Sequence, residues 1–109
     1  MTELYNPHAG DILKHEFIDE IGMSQNALAK AIAVPANRIH AIVNGTRRIT
    51  ADTDLRLCAF FRLSEGYFLR LQNLHETLVA KQILGDMLTK IIPLESFTHC
   101  EENTITHAL

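Results

Sequence analysis

No stretch of this 109-residue chain approaches the ~20 consecutive apolar residues that a membrane-spanning helix requires. The start, MTELYNPHAGD, has neither the basic region nor the apolar core of a secretory signal. The two absences together lead to the expectation of a soluble, cytoplasmic protein without a membrane partner. Cysteine is scarce: Cys58 and Cys100 stand far apart with no Cys-x-x-Cys or Cys/His ligand spacing, which argues against a disulfide framework and a zinc site. Cys58, inside the apolar run LCAFF, reads as a small buried hydrophobe. His8 and His15, or His99, Cys100 and His107, lack the further ligands that would complete a metal site. Gly-rich phosphate loops and nucleophile motifs are missing, and the paired carboxylates Glu101 and Glu102 fall near the end of the chain. Neither an enzyme nor a cofactor is expected.

Acidic residues are also missing from one region, although the chain as a whole carries a net charge of −3. Between Ile21 and Ala51 there is no carboxylate, while Lys30, Arg38, Arg47 and Arg48 all fall there. From Pro93 onward the bias inverts, with Glu95, Glu101 and Glu102 and no base. Screening at physiological salt cuts interactions off over about 8 Å, so local sign decides what a surface attracts. Nearly half of the chain is apolar and about a fifth charged, the balance of a globular domain with one core.

The apolar spacing predicts helices throughout. Asn6-Pro7 can cap and open a first helix, with Ile12, Leu13, Phe17 and Ile21 on its buried face and Gly22 ending it. Ser24 is an N-cap for a short second helix that buries Leu28, Ala29 and Ile32 and stops near Ala33. Pro35 suits the first turn of a third helix, closed by Asn44-Gly45. Its inner stripe is Ile39, Ile42 and Val43, and its outward face is Ala36, Asn37, Arg38, His40 and Ala41. Thr50 can cap a fourth helix that buries Leu55, Cys58 and Ala59, widened by Leu57, Phe60 and Phe61, with Asp52 and Asp54 in its first turn. Ser64 can cap a fifth helix with Tyr67, Leu71, Leu74 and Leu78 in a wide stripe. Beyond Ala80, Leu84, Met87 and Ile91 keep an apolar period as a continuation or a sixth helix, interrupted by Gly85 and stopped by Pro93. The end of the chain is a frayed tail or adds a strand at NTITHAL.

Two short helices joined by a tight turn, from Ser24 to Ala33 and from Pro35 to Asn44, have the form of a helix-turn-helix unit. In such a unit the first helix braces on the phosphate backbone and the second presents its N-terminal residues to base edges in the major groove. The run SQNALAKAIAVPANRIHAIVNGTRRITADTDLRL closely resembles Cro/repressor-type regulators, and within them the HigA-type antitoxins of toxin–antitoxin modules. The hallmark of that family is a run like VPxxRIxxIVNGxRxITADTxLRL followed by an aromatic pair and a Leu-Gln, here YFLRLQ. The similarity extends from about His8 to about Leu94. Two positions that commonly carry glycine are Ala33 and Arg62 in this chain, and Tyr67-Phe68 replaces a Phe-Trp pair.

The resemblance implies a role for each matching residue. Gln25 would hydrogen-bond a phosphate, Asn37 would pair with adenine N6/N7, and Arg38 would reach a guanine or a phosphate. Ala36 and Ala41 would touch thymine methyls, and Thr46, Arg47 and Arg48 would grip the backbone. His40 is left open between a DNA contact and an ordinary surface residue. The expected protein is all-α, a five- to six-helix lambda-repressor-like domain over residues 1–95, with 96–109 as a tail. A homodimer on double-stranded operator DNA is expected, with Leu71, Leu74, Leu78 and the segment after them as its interface. The resemblance further implies an antitoxin that represses its own operon and neutralises a small basic mRNA-cleaving toxin. Asp11, Glu16, Asp19, Glu20 or the tail are candidate contacts for that toxin. The alternatives are a stand-alone regulator with no toxin partner, and a scaffold protein that kept the fold but lost DNA contact.

Overall fold

A computed structural model describes residues 6–96, and they fold as helices joined by short turns. Helix α1 occupies 9–21 in three consecutive segments: α-helical Ala9–Ile12, π-helical Leu13–Ile18 and α-helical Asp19–Ile21. Helix α2 covers Gln25–Ala31, α3 Ala36–Asn44, α4 Ala51–Phe61 and α5 Tyr67–Leu84. The segment expected to continue α5 does so only to Leu84, and 3-10 turns follow over Gly85–Lys90 and Leu94–Ser96 in place of a sixth α-helix. Gly85, at φ 52° and ψ −125°, breaks the α geometry there. The expected strand at NTITHAL lies outside the described residues.

Local signals place most helix ends. Ser24 Oγ accepts from the Ala27 N–H at 3.0 Å, and Thr50 Oγ1 from the Thr53 N–H at 3.4 Å, each satisfying a donor that has no partner inside its helix. Gly22 and Gly45 close α1 and α3 in the left-handed region. Two caps differ from the sequence expectation. His8, not Asn6, opens α1: its Nδ1 accepts from the Gly10 and Asp11 N–H groups at 3.0 and 3.3 Å, while Asp11 accepts from the His8 N–H. Asn6 instead fastens the chain start to α5 through the main-chain carbonyl and the ring of His75. Nor does Ser64 cap α5. The buried carboxylate of Asp54, on α4, accepts from Gly66 N–H at 2.7 Å, Phe68 N–H at 2.9 Å and Leu69 N–H at 3.3 Å.

Leu13, Ile18, Leu28, Ile39, Ile42, Leu57 and Phe68 are the large apolar side chains at the centre of the core. The π turn changes which face of α1 is inner. Its wider i→i+5 bonding brings Leu13 and Ile18 onto one side, and Ile21, expected to be buried, is exposed. On α4 the buried residues are Thr53, Asp54, Leu57 and Cys58, while Leu55, Ala59 and Phe60 face out and Phe61 is half-buried. Asp54 draws α4 toward the α5 N-terminus, which turns Leu55 away from the core. Phe17 closes the far end against Phe61, Tyr67 and Phe68, at ring-centroid distances of 4.9, 5.9 and 5.4 Å.

Ala33 and Arg62, the two sites where the related family commonly has glycine, are the two non-glycine residues with positive φ among the described residues, at 62° and 61°. A Cβ in the left-handed region costs about 1 kcal/mol. The turn keeps its form despite that cost. Val34 N–H bonds the Ala29 carbonyl at 2.9 Å, and Arg56 Nη1 donates to the Ile32 carbonyl at 2.8 Å. The α2 end is thus closed from α4, a cap carried by a residue 24 positions downstream.

Candidate nucleic-acid interface

Pro35 precedes α3 in an extended conformation, so the chain turns sharply and α3 starts at Ala36. Ala36, Asn37 and His40 are exposed on its outer side, Arg38 and Ala41 are half-buried, and Ile39 and Ile42 hold the helix to the core. The start of α2 shares that outer side, because His40 Nε2 lies 3.1 Å from Asn26 Oδ1 in a hydrogen bond between the two helices. His40 thus links α2 to α3 while its ring stays exposed on the outer side.

The loop after α3 is built on the Ala41 carbonyl, which accepts from both the N–H and the hydroxyl of Thr46, at 2.9 and 3.2 Å. It is then pinned to α5. Gln72, almost fully buried, accepts the Ile49 N–H at 2.7 Å and donates to the Ile49 carbonyl at 2.9 Å. A buried amide with both ends satisfied by one residue's main chain fixes that residue's position. Arg47 and Arg48 precede Ile49 and border a cleft whose other walls include His8, His75 and Glu76.

The expected contact residues divide into two groups. The side chains of Gln25, Asn37 and Arg47 have no hydrogen-bond or ion-pair partner among the described residues, so their donors and acceptors are available to a ligand. Arg38 and Arg48 are engaged. Arg48 forms a two-pronged pair with Glu76 on α5, Nε to Oε2 at 2.8 Å and Nη2 to Oε1 at 3.0 Å. The hydrogen bonding and charge of each partner act on the other: Glu76 is held below the usual carboxylate pKa and Arg48 is raised above the usual arginine value. Arg38 Nη1 reaches Asp52 Oδ2 at 3.3 Å, and its Nε is buried without a partner. Asp52 also accepts from Arg56 Nε at 3.1 and 3.3 Å.

No carboxylate lies within α2 or α3, as the sequence requires, but folding brings Asp52 and Glu76 from α4 and α5 against their arginines. Four participants escape sequence reasoning: Gln72, Glu76, Asp52 and Arg56. Asp52 and Arg56 stand at fixed positions of the ITADTxLRL run and Gln72 ends the YFLRLQ element, but nothing there indicates what they hold, and Glu76 carries no signal. Among the described residues no cluster of three or more potential metal ligands forms, and no helix is long and apolar enough to cross a membrane. Cys58 is buried against Asp54, and desolvation raises its thiol pKa.

Residues 15–68 match the family described as helix-turn-helix. Virulence-associated protein I of Dichelobacter nodosus is 39% identical over 89 residues, spanning 82% of each chain. An addiction module antidote protein of the HigA family from Coxiella burnetii superposes with a TM-score of 0.75 at 40% identity, over 83% of this chain and 98% of that one. The antitoxin HigA of Pseudomonas aeruginosa, solved with the higBA promoter, gives a TM-score of 0.75 at 34% identity, over 83% of this chain and 99% of that one. The helix-turn-helix match takes in α2, the turn, α3 and the loop after it, and the chain belongs to the HigA-type antitoxins of the Cro/repressor helix-turn-helix family.

Proposed function

We propose that this protein is the antitoxin of a type II toxin–antitoxin module, which binds operator DNA through α2, α3 and the loop after α3 and represses its own operon. One observation carries the DNA half of the reading. Gln25, Asn37 and Arg47, which the resemblance assigns to phosphate, base and phosphate, are left without an intramolecular partner among the described residues, on an acid-free pair of helices and the loop after them. Asn37, in the first turn of α3, stands where a recognition helix presents residues to base edges. Ala36 and Ala41 flank it as candidate thymine-methyl contacts, and Thr46 to Arg48 form the backbone grip.

One α3 spans only a few base pairs, so two symmetry-related copies would sit about 34 Å apart on a palindromic operator. The surface left for a second copy is apolar. Leu74, Ile83, Met87, Ile91 and Ile92 are each more than half exposed along α5 and the turns after it, apolar side chains that a second copy would take out of water. Leu71 and Leu78, half-buried, border that surface. For the small basic toxin, α1 offers Glu16 and Glu20, exposed and without an ion-pair partner among the described residues. Asp19, by contrast, is occupied by Lys14 at 2.9 Å, whose hydrogen bond lowers the pKa of its carboxyl.

A mobility shift with the DNA upstream of its own gene tests the DNA reading. Asn37→Ala with Arg47→Ala should abolish a retarded band that the wild type gives. Arg47→Ala alone should flatten the dependence of log K on log [salt] by roughly 1.8 for a dimer, about 0.9 for each phosphate that is no longer neutralised. A double variant that shifts this DNA like the wild type would sink the assignment. Co-expression with the neighbouring reading frame tests the toxin half, through rescue of growth and co-purification, and a neighbour without toxicity would leave a stand-alone regulator.

A further inference from the structure

The two engaged arginines raise a question of their own: what does a DNA-binding surface gain from carboxylates placed on its cations? Of the four bases in the acid-free region, Arg38 and Arg48 are ion-paired, while Lys30 and Arg47 have no partner among the described residues. Binding to arbitrary DNA is carried by phosphate neutralisation, and each free cation adds to it regardless of sequence. A cation held by a carboxylate contributes little to that binding unless the carboxylate is displaced. Glu76 holds Arg48 in a two-point geometry, yet the pair is largely solvent-exposed, with side-chain exposures of 68% and 43%. Exposed pairs are weak, so a phosphate delivered at the right place can replace the carboxylate.

We propose that Glu76, and with it Asp52, are specificity-determining residues: they mask Arg48 and Arg38 against arbitrary phosphates and release them only in the close fit on operator DNA. The masking works through a difference between complexes. In a loosely seated complex the pairs stay closed and the neighbouring carboxylates repel the backbone. In the register-locked complex a phosphate lies against Arg48 and takes over its N–H groups. Carboxylates therefore subtract more from non-specific than from specific binding, which widens the ratio that counts in a genome full of competing sites. Glu76 is the cleaner probe of the two, because Asp52 also orients Arg56, which closes the end of α2.

The inference rests on the DNA-binding reading above, and the experiment separates the two. Affinities are measured by fluorescence anisotropy over a salt series. One duplex carries the protein's own upstream DNA, and a scrambled duplex has the same composition. Glu76→Gln should bind the scrambled duplex about five- to tenfold more tightly, with a slope steeper by about 0.9 per protomer, and should gain less on the upstream DNA. Glu76→Asp, which keeps the charge, should behave as wild type. Glu65→Gln makes the same change in net charge at an exposed position in the turn before α5 and should leave both affinities unchanged. Thermal melting of all variants checks that each is folded.

Scrambled-duplex affinity that stays the same or falls in Glu76→Gln would overturn the proposal, as would an equal gain in Glu65→Gln, which would reduce it to net charge. A wild type with no preference for its upstream DNA would sink the DNA-binding reading instead.

Discussion

Asp54→Ala should destabilise the protein by about 3 kcal/mol, because three N–H donors at the start of α5 lose their acceptor in a buried setting. For a domain of about 100 residues this lowers the melting temperature by roughly 12 to 24 °C. The sequence suggests a much smaller effect, since an aspartate in the first turn of α4 reads as a favourable charge on that helix's dipole, worth less than about 1 kcal/mol. The size of the loss therefore separates two roles for one residue. Asp54→Asn keeps one side-chain oxygen and should fall between wild type and alanine. A melt of Asp54→Ala within a few degrees of wild type would show that α5 is capped in some other way.

Gly10→Ala should be destabilising by about 3 kcal/mol, against the sign that helix propensity gives. Gly10 is buried in the first turn of α1, where that helix crosses α3, and a Cβ built there would overlap the carbonyl oxygen of Ile42. The obstacle is backbone within a helix, so it cannot rotate aside as a side chain can. Either α1 or α3 must shift. Because α3 carries Asn37, the same substitution should weaken operator binding more than the melt accounts for at a temperature where the variant is still folded. Propensity alone predicts a gain of about 1 kcal/mol, since alanine loses less backbone entropy in a helix than glycine. A more stable Gly10→Ala protein would mean that α1 and α3 do not touch at this point.

Both effects arise from approaches that no local pattern encodes. Capping boxes, helix stop signals and the 3.6-residue period act over three or four positions, which is why Ser24, Thr50, Gly22 and Gly45 are legible as helix ends. The inner stripe of Ile39 and Ile42 is legible for the same reason, with Val43 half-buried beside it. The buried faces of α1 and α4 are harder to read. A π turn shifts the period of α1, and on α4 a polar residue, Asp54, occupies a core position that apolar counting passes over.

On the candidate interface the inventory is legible in the chain: a helix-turn-helix spacing, no carboxylate from Gly22 to Thr50, and the polar residues Gln25, Asn37, Arg38, Arg47 and Arg48. Tertiary structure alone decided which of them stand free. Arg38 meets Asp52 across 14 positions and Arg48 meets Glu76 across 28, while Gln72 fixes the loop between them across 23. Those separations are set by how α4 and α5 fold back over α3, and an ion pair between exposed side chains leaves no periodic trace in the chain. Composition set the sign of the surface; packing set which of its charges can reach a phosphate.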